Sequence, residues 1–313
     1  MGIAAASSPA RAVAQELTWS DSARSRPLPL LMRWPAGNGP CALVLHSHGL
    51  GGSREGGDAW GRAWQQAGIA VLHLQHAGSD TEVLRGGQRA LRQAVSYEQL
   101  AARVADMRFV LDEVVRRSGA AEPGFARVRV DAIGASGHSF GARTVQALAG
   151  QRFATAAGAG LAEPRFKAFV ALSPAPGRDA LPPERAFGAV AKPLLCVTGS
   201  QDQDPLGSER TGEHRLAVYE GLPSGQRALL WLDGADHMTF GGNAAQRIAA
   251  RRGLFRRDPA VAEREAAHHA LVAAVTSLWW RSRLLGDAAA GNAACTVGAR
   301  PDGPLAIRLS LRA

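Results

Sequence analysis

Short apolar runs alternate with longer stretches of helical spacing through most of the chain. The runs are Cys41–His46, Ile69–Leu74, Ile133–Ser136, Phe166–Leu172, Leu194–Thr198 and Ala228–Leu232. Each is about 4–7 residues long with little polar alternation, which suits strands buried on both faces of a parallel sheet. Between them, Gln88–Arg117 carries Leu91, Val95, Leu100, Val104, Met107, Leu111 and Val114, mostly three or four residues apart. That spacing predicts an amphipathic helix. Ala142–Ala149 and Pro259–Leu285 are further helical segments. The alternation predicts one open α/β sheet, mostly parallel, with right-handed crossovers and helices on both faces.

Leu28–Arg33 reads as an antiparallel edge strand, ended by Pro35, Gly37 and Gly39. Residues 1–17 are expected to form a flexible N-terminal segment, 18–286 the α/β domain and 287–313 a C-terminal extension. That extension is rich in Ala, Gly and Pro and is expected to be loosely held. Within it, Leu305–Leu311 alternates apolar and polar residues and suits a short added strand. No repeat with a period of about 20–50 residues is present.

Composition narrows the class. With 46% hydrophobic and 20% charged residues, wholesale disorder is excluded. No uninterrupted apolar stretch of about 18 residues exists, so no membrane span is expected. The net charge of +9 is almost all arginine, since Lys167 and Lys192 are the only lysines. Arg247, Arg251, Arg252, Arg256 and Arg257 lie close together, but no nucleic-acid motif accompanies them. A scattered basic surface and a solvated helix face are therefore preferred to a nucleic-acid partner. Cys41, Cys196 and Cys295 fit neither a disulfide scaffold nor a zinc cluster, and the first two sit in apolar runs as core fillers. Ala12-Val13-Ala14 has the shape of a signal-peptidase site. No apolar core of about 7–15 residues precedes it, so localisation is open and export would need an upstream start.

The chemistry concentrates in Gly137-His138-Ser139-Phe140-Gly141, which follows an apolar strand and opens a helix. That context is what a nucleophile elbow requires. The turn strains the serine backbone and pushes its hydroxyl out at the strand end. Small neighbours are needed where strand and helix backbones pass closely, and Gly134, Gly137, Gly141 and Ala142 meet that need. A serine needs a base. His237 stands just past the strand Ala228–Leu232; His214, His268 and His269 are expected to face solvent. The orienting acid must follow Leu194–Thr198, where Asp202 is preferred and Asp204 is the alternative. Asp236 is too close in sequence to His237 to orient it.

An oxyanion site would complete the set. The glycine-rich loop His46-Ser47-His48-Gly49-Leu50-Gly51-Gly52-Ser53-Arg54 follows the first parallel strand. Leu50 and Phe140 are the expected N–H donors. His46 and His48 read as structural. Clustered with His73 and His76 they match no metal-ligand spacing, so no metal is expected. Trp60 and Trp64, in the helix after the loop, are read as core packing or as lining for an acyl pocket.

With these residues the chain resembles the α/β-hydrolase superfamily. More narrowly, it is similar to bacterial proteins related to dienelactone hydrolase and platelet-activating-factor acetylhydrolase. The resemblance runs from about Thr18 to Gly286. It is carried by Ser47–Arg54, His76-Ala77-Gly78-Ser79-Asp80, Gly137–Ala142 and Asp236-His237-Met238-Thr239-Phe240. It implies Leu50 and Phe140 as oxyanion donors. The dienelactone hydrolases use a cysteine nucleophile, where Ser139 stands here. The implied activity is hydrolysis of a small carboxylic ester through an acyl-enzyme, with no cofactor. An amidase or thioesterase would use the same parts, and a hydrolase fold kept only for binding is the non-enzymatic alternative. The segment between Leu172 and Leu194 is short and rich in Pro and Gly, which predicts little or no lid and an open cleft for short-chain or bulky esters; short-chain or acetyl esters are the expected substrates. Oligomeric state is left open.

Overall fold

Every residue of the strand β3 (Cys41–Ser47) is buried, and its side chains divide between two hydrophobic clusters. Leu43 and Leu45 join one cluster, Ala42 and Val44 the other. A strand of period two can do this only with helices on both faces. The computed structural model describes residues 12–154, 160–177, 181–203, 212–242, 259–298 and 307–311.

Flanking β3 in chain order are β1 (Val13–Asp21), β2 (Arg26–Trp34) and β4 (Ala70–Leu74). Then come β5 (Val128–His138), β6 (Phe169–Leu172), β7 (Leu194–Gln201), β8 (Arg227–Asp236) and β9 (Ile307–Leu311). They form one nine-stranded sheet in the order β1-β2-β4-β3-β5-β6-β7-β8-β9. The stretch from β4 to β8 is parallel, while β1, β2 and β9 pair antiparallel. The chain is thus an α/β protein with a mostly parallel sheet.

The helices are α1 (Asp58–Gln66), α2 (Gly87–Gln93), α3 (Tyr97–Gly119), α4 (Phe140–Ala149), α5 (Pro183–Phe187), α6 (Leu216–Gly221), α7 (Pro259–Leu285) and α8 (Ala288–Gly298). Leu100, Val104, Met107 and Leu111 of α3 pack with Val145 and Leu148 of α4 on one face of the sheet. Trp60 and Trp64 of α1 pack with Val272, Val275 and Trp280 of α7 on the other.

Several expectations are corrected. Leu28–Arg33 belongs to β2, which is not an edge, because β1 pairs along its outer side. Val13–Leu17, expected in a flexible segment, form the first half of β1. The C-terminal extension, expected to be loosely held, holds α8 over 288–298, while β9 pairs with β8 in agreement with the added strand read at Leu305–Leu311. The helix read over Gln88–Arg117 is two helices. The Ser96 hydroxyl accepts from the Gln99 N–H at 3.2 Å and caps α3, breaking the chain between them. Trp60 and Trp64 are wholly buried, donating to the Phe240 carbonyl at 3.0 Å and to Thr276 Oγ1 at 2.8 Å. Both are core residues, which agrees with the core-packing reading and not with the pocket-lining one.

Candidate active site

The parallel strands all deliver their C-terminal ends to one rim of the sheet. The register places Ser47 beside Gly137 and His138 beside Leu172. Gln201 pairs with Asp236. The residues that follow, His48, Ser139, Ser173, Asp202 and His237, therefore gather along that rim. This is where open α/β sheets bind ligands.

Ser139 occupies the single position between β5 and α4, with φ 55° and ψ −114°. A serine held at positive φ in this region is strained, and its surroundings must hold it there. The Ser139 N–H donates to the Leu172 carbonyl at 2.9 Å. A Cβ at Gly137 would lie 2.3 Å from the Gly141 carbonyl oxygen, and one at Gly141 1.9 Å from the Ser47 oxygen. Only glycine fits at these two crossings.

His237 Nε2 lies 2.9 Å from Ser139 Oγ, and His237 Nδ1 lies 2.9 Å from Asp202 Oδ1. With Nδ1–H donated to the carboxylate, the Nε2 lone pair faces the serine hydroxyl. Asp202 is fully buried. Thr198 Oγ1 donates to its Oδ2 at 2.8 Å, and Arg215 Nε sits 2.9 Å from its Oδ1. Burial alone would push this carboxyl up. The Arg215 charge and the hydrogen bonds from His237 and Thr198 outweigh it and hold Asp202 below the usual carboxylate range.

Two further residues complete this cluster, and neither was identified from the sequence. Ser173, at φ 57°, donates through Oγ to Asp202 Oδ1 at 2.8 Å, and that Oγ lies 2.9 Å from His237 Nδ1. Arg215 donates to the backbone carbonyls of Asp202 at 2.6 Å and Pro174 at 3.0 Å. Ser173 stands at the C-terminal end of an apolar run, the position from which the site is built, and that was its one available signal. Arg215 had none.

The imidazole of His138 donates from Nε2 to the His237 carbonyl at 3.0 Å, fixing the backbone at His237. Burial, then the neighbouring His237, lower its pKa to about 3, so it stays neutral. Asp236 turns away and accepts from the Thr239 N–H and hydroxyl, both at 2.8 Å. His268, expected at the surface, is buried and meets the Asp233 carbonyl at 3.2 Å; His214 is exposed. Asp204 and the arginines at 247–257 lie outside the described residues.

The glycine loop presses against the serine. A Cβ at Gly49 would sit 3.4 Å from Ser139 Cβ. Leu50 follows it, and Phe140 opens α4. Among the described hydrogen bonds none uses the N–H of Leu50 or Phe140. The loop is pinned through His48. His48 Nδ1 donates to the Gly49 carbonyl at 2.6 Å, while its Nε2 accepts from the His76 N–H at 3.0 Å. Both nitrogens of His48 are thereby used within the protein. The Gly51 N–H donates to the Ser79 carbonyl at 2.9 Å.

No family model matches the chain, and no curated protein matches it. Among the described residues no helix is long and apolar enough to cross a membrane, and no group of three His, Cys, Asp or Glu side chains could hold a metal ion.

Proposed function

We propose that this protein is a serine hydrolase of the α/β-hydrolase fold that cleaves carboxylic esters through an acyl-enzyme. The observation that carries the reading is the chain Ser139–His237–Asp202, two hydrogen bonds of 2.9 Å running from a strained serine to a buried carboxylate. Ser139 Oγ attacks the ester carbonyl while His237 Nε2 takes its proton. Asp202 stabilises the imidazolium that forms. The N–H groups of Leu50 and Phe140 receive the oxyanion, each contributing about 3–4 kcal/mol in the transition state. The positive end of α4 adds to this field. His237 then protonates the leaving alcohol. Water, deprotonated by the same imidazole, releases the acid and restores Ser139. No step calls on a cofactor.

A short acyl group fits the connection from β6 to β7. Its described part holds one helix, α5, whose Ala186 and Phe187 are buried and whose Ala186 carbonyl accepts from the Arg152 N–H at 2.8 Å. That helix is docked on the body of the protein.

The purified chain is expected to hydrolyse p-nitrophenyl acetate and butyrate. Ser139→Ala should lower kcat on the order of 10⁶-fold and Asp202→Asn on the order of 10⁴-fold, the second because an amide favours the wrong histidine tautomer. Retention of full ester hydrolysis by Ser139→Ala would refute the reading.

A further inference from the structure

Behind the glycine loop lies a guanidinium that the hydrolytic steps do not use. Arg103, on α3, is fully buried. Its Nη2 donates to Ser47 Oγ at 2.9 Å and also to the His48 carbonyl. Its Nη1 donates to Ser79 Oγ at 2.8 Å and its Nε to Thr144 Oγ1 at 3.1 Å. All four acceptors are neutral oxygens. A buried guanidinium bonded directly only to neutral groups is costly, and packing alone would be better served by an apolar side chain. Burial draws its pKa down to about 9, which leaves it charged at neutral pH.

The acceptors belong to both halves of the oxyanion site. The His48 carbonyl is two residues before Leu50, and Ser79 also fixes the loop, through its carbonyl on the Gly51 N–H. On the other side Arg103 lies over the Phe140 ring, 4.7 Å from its centroid. Thr144, which accepts from Arg103 Nε, donates its own hydroxyl hydrogen to the Phe140 carbonyl at 3.0 Å. One planar, rigid group thus ties together the segments that carry the Leu50 and Phe140 N–H groups.

We propose that Arg103 is a positioning residue that sets the spacing of the two oxyanion donors. The proposal rests on the hydrolase reading above. Donors arranged before the reaction act on the charge that develops in the transition state and little on the neutral ester. Loosening them should therefore lower kcat and spare KM.

The test compares wild type with Arg103→Met, which keeps length and apolar bulk but has no donors, using p-nitrophenyl acetate. The same proteins are titrated with an aryl trifluoromethyl ketone, whose hemiketal adduct with serine carries the oxyanion. Arg103→Met is expected to lose about 10- to 100-fold in kcat, with KM within about threefold and ketone affinity falling in step with kcat/KM. Arg103→Lys, which keeps the charge but not the planar fork, should recover only part of this. A folded Arg103→Met with kcat and ketone affinity within about twofold of wild type would overturn the assignment while leaving the hydrolase reading intact. If Arg103→Met does not fold, Thr144→Val decides. It cuts the link to Phe140, and an unchanged kcat in that variant equally overturns the proposal. A wild-type chain inert toward both ester and ketone overturns the hydrolase reading and this one with it.

Discussion

Arg215 Nε lies 2.9 Å from Asp202 Oδ1, and the side chains are 3% and 0% exposed. The carboxylate is therefore balanced from two sides, by the Arg215 guanidinium and by His237, which gains and loses a proton in the proposed cycle. Arg215 compensates the buried charge through the stages in which His237 is neutral.

Removing one member of a buried pair strands the other. Arg215→Met is expected to lower the unfolding free energy by about 3–5 kcal/mol, read from urea denaturation. The double variant Arg215→Met/Asp202→Asn should recover part of that loss, because no bare carboxylate is left. A double variant less stable than Arg215→Met would show that the pairing of charges is not what Arg215 contributes.

Ser173 makes two contributions that substitution can separate. Its hydroxyl bonds the Asp202 carboxylate, an interaction with a charged acceptor of about 1.5–3 kcal/mol. Its backbone sits at φ 57°, which favours glycine. Ser173→Ala and Ser173→Gly both lose the hydroxyl, and kcat on p-nitrophenyl acetate should fall by about tenfold in each. Thermal unfolding should then rank Ser173→Gly above Ser173→Ala, since only glycine relieves the strain. The opposite ranking would mean that the positive φ carries no cost.

Burial also predicts a pH limit. It holds His73 and His76 at about 4 and His138 at about 3, and it takes His46 and His48 well below the ordinary histidine value. In the unfolded chain each titrates at about 6.5. Between those values the unfolded state binds more protons, so stability is complete above about pH 7 and falls as pH drops. For His73 and His76 the loss runs from about pH 6.5 to 4, and for His138 on to about 3. Asp106, held at about 2, and Asp202, also lowered, add to the loss below about pH 4 in the same direction. Urea midpoints measured from pH 7.5 downward should fall with increasing slope below about 6.5. Midpoints level between about pH 7 and 5 would contradict the neutral burial of these rings.

The parallel core was legible because its strands are buried on both faces, so runs such as Cys41–His46 and Leu194–Thr198 stand out without alternation. β1 was not, because Val13–Glu16 face solvent and their strand is held by backbone pairing with β2. The break between α2 and α3 was missed because apolar spacing continues across it, and only the Ser96 cap marks the start of α3. In the site, Ser139 and Phe140 were readable from a local strand–turn–helix pattern, and His237 and Asp202 from their places after strands. Ser173 and Arg215 reach Asp202 through sheet order and a turn at Gly212–Arg215, and no local spacing encodes that approach. Arg103 was hidden in the same way, as one polar position on the helix face that also presents Leu100, Val104 and Met107 to the core.

Mass-spectrometric mapping of a fluorophosphonate adduct on the intact protein tests Ser139 as the proposed nucleophile. One phosphonyl group is expected on the peptide containing Gly137–Gly141, placed on Ser139 and absent when His237 is replaced by alanine. An adduct on Ser173 or any other residue, or none in a protein that hydrolyses p-nitrophenyl acetate, would contradict it.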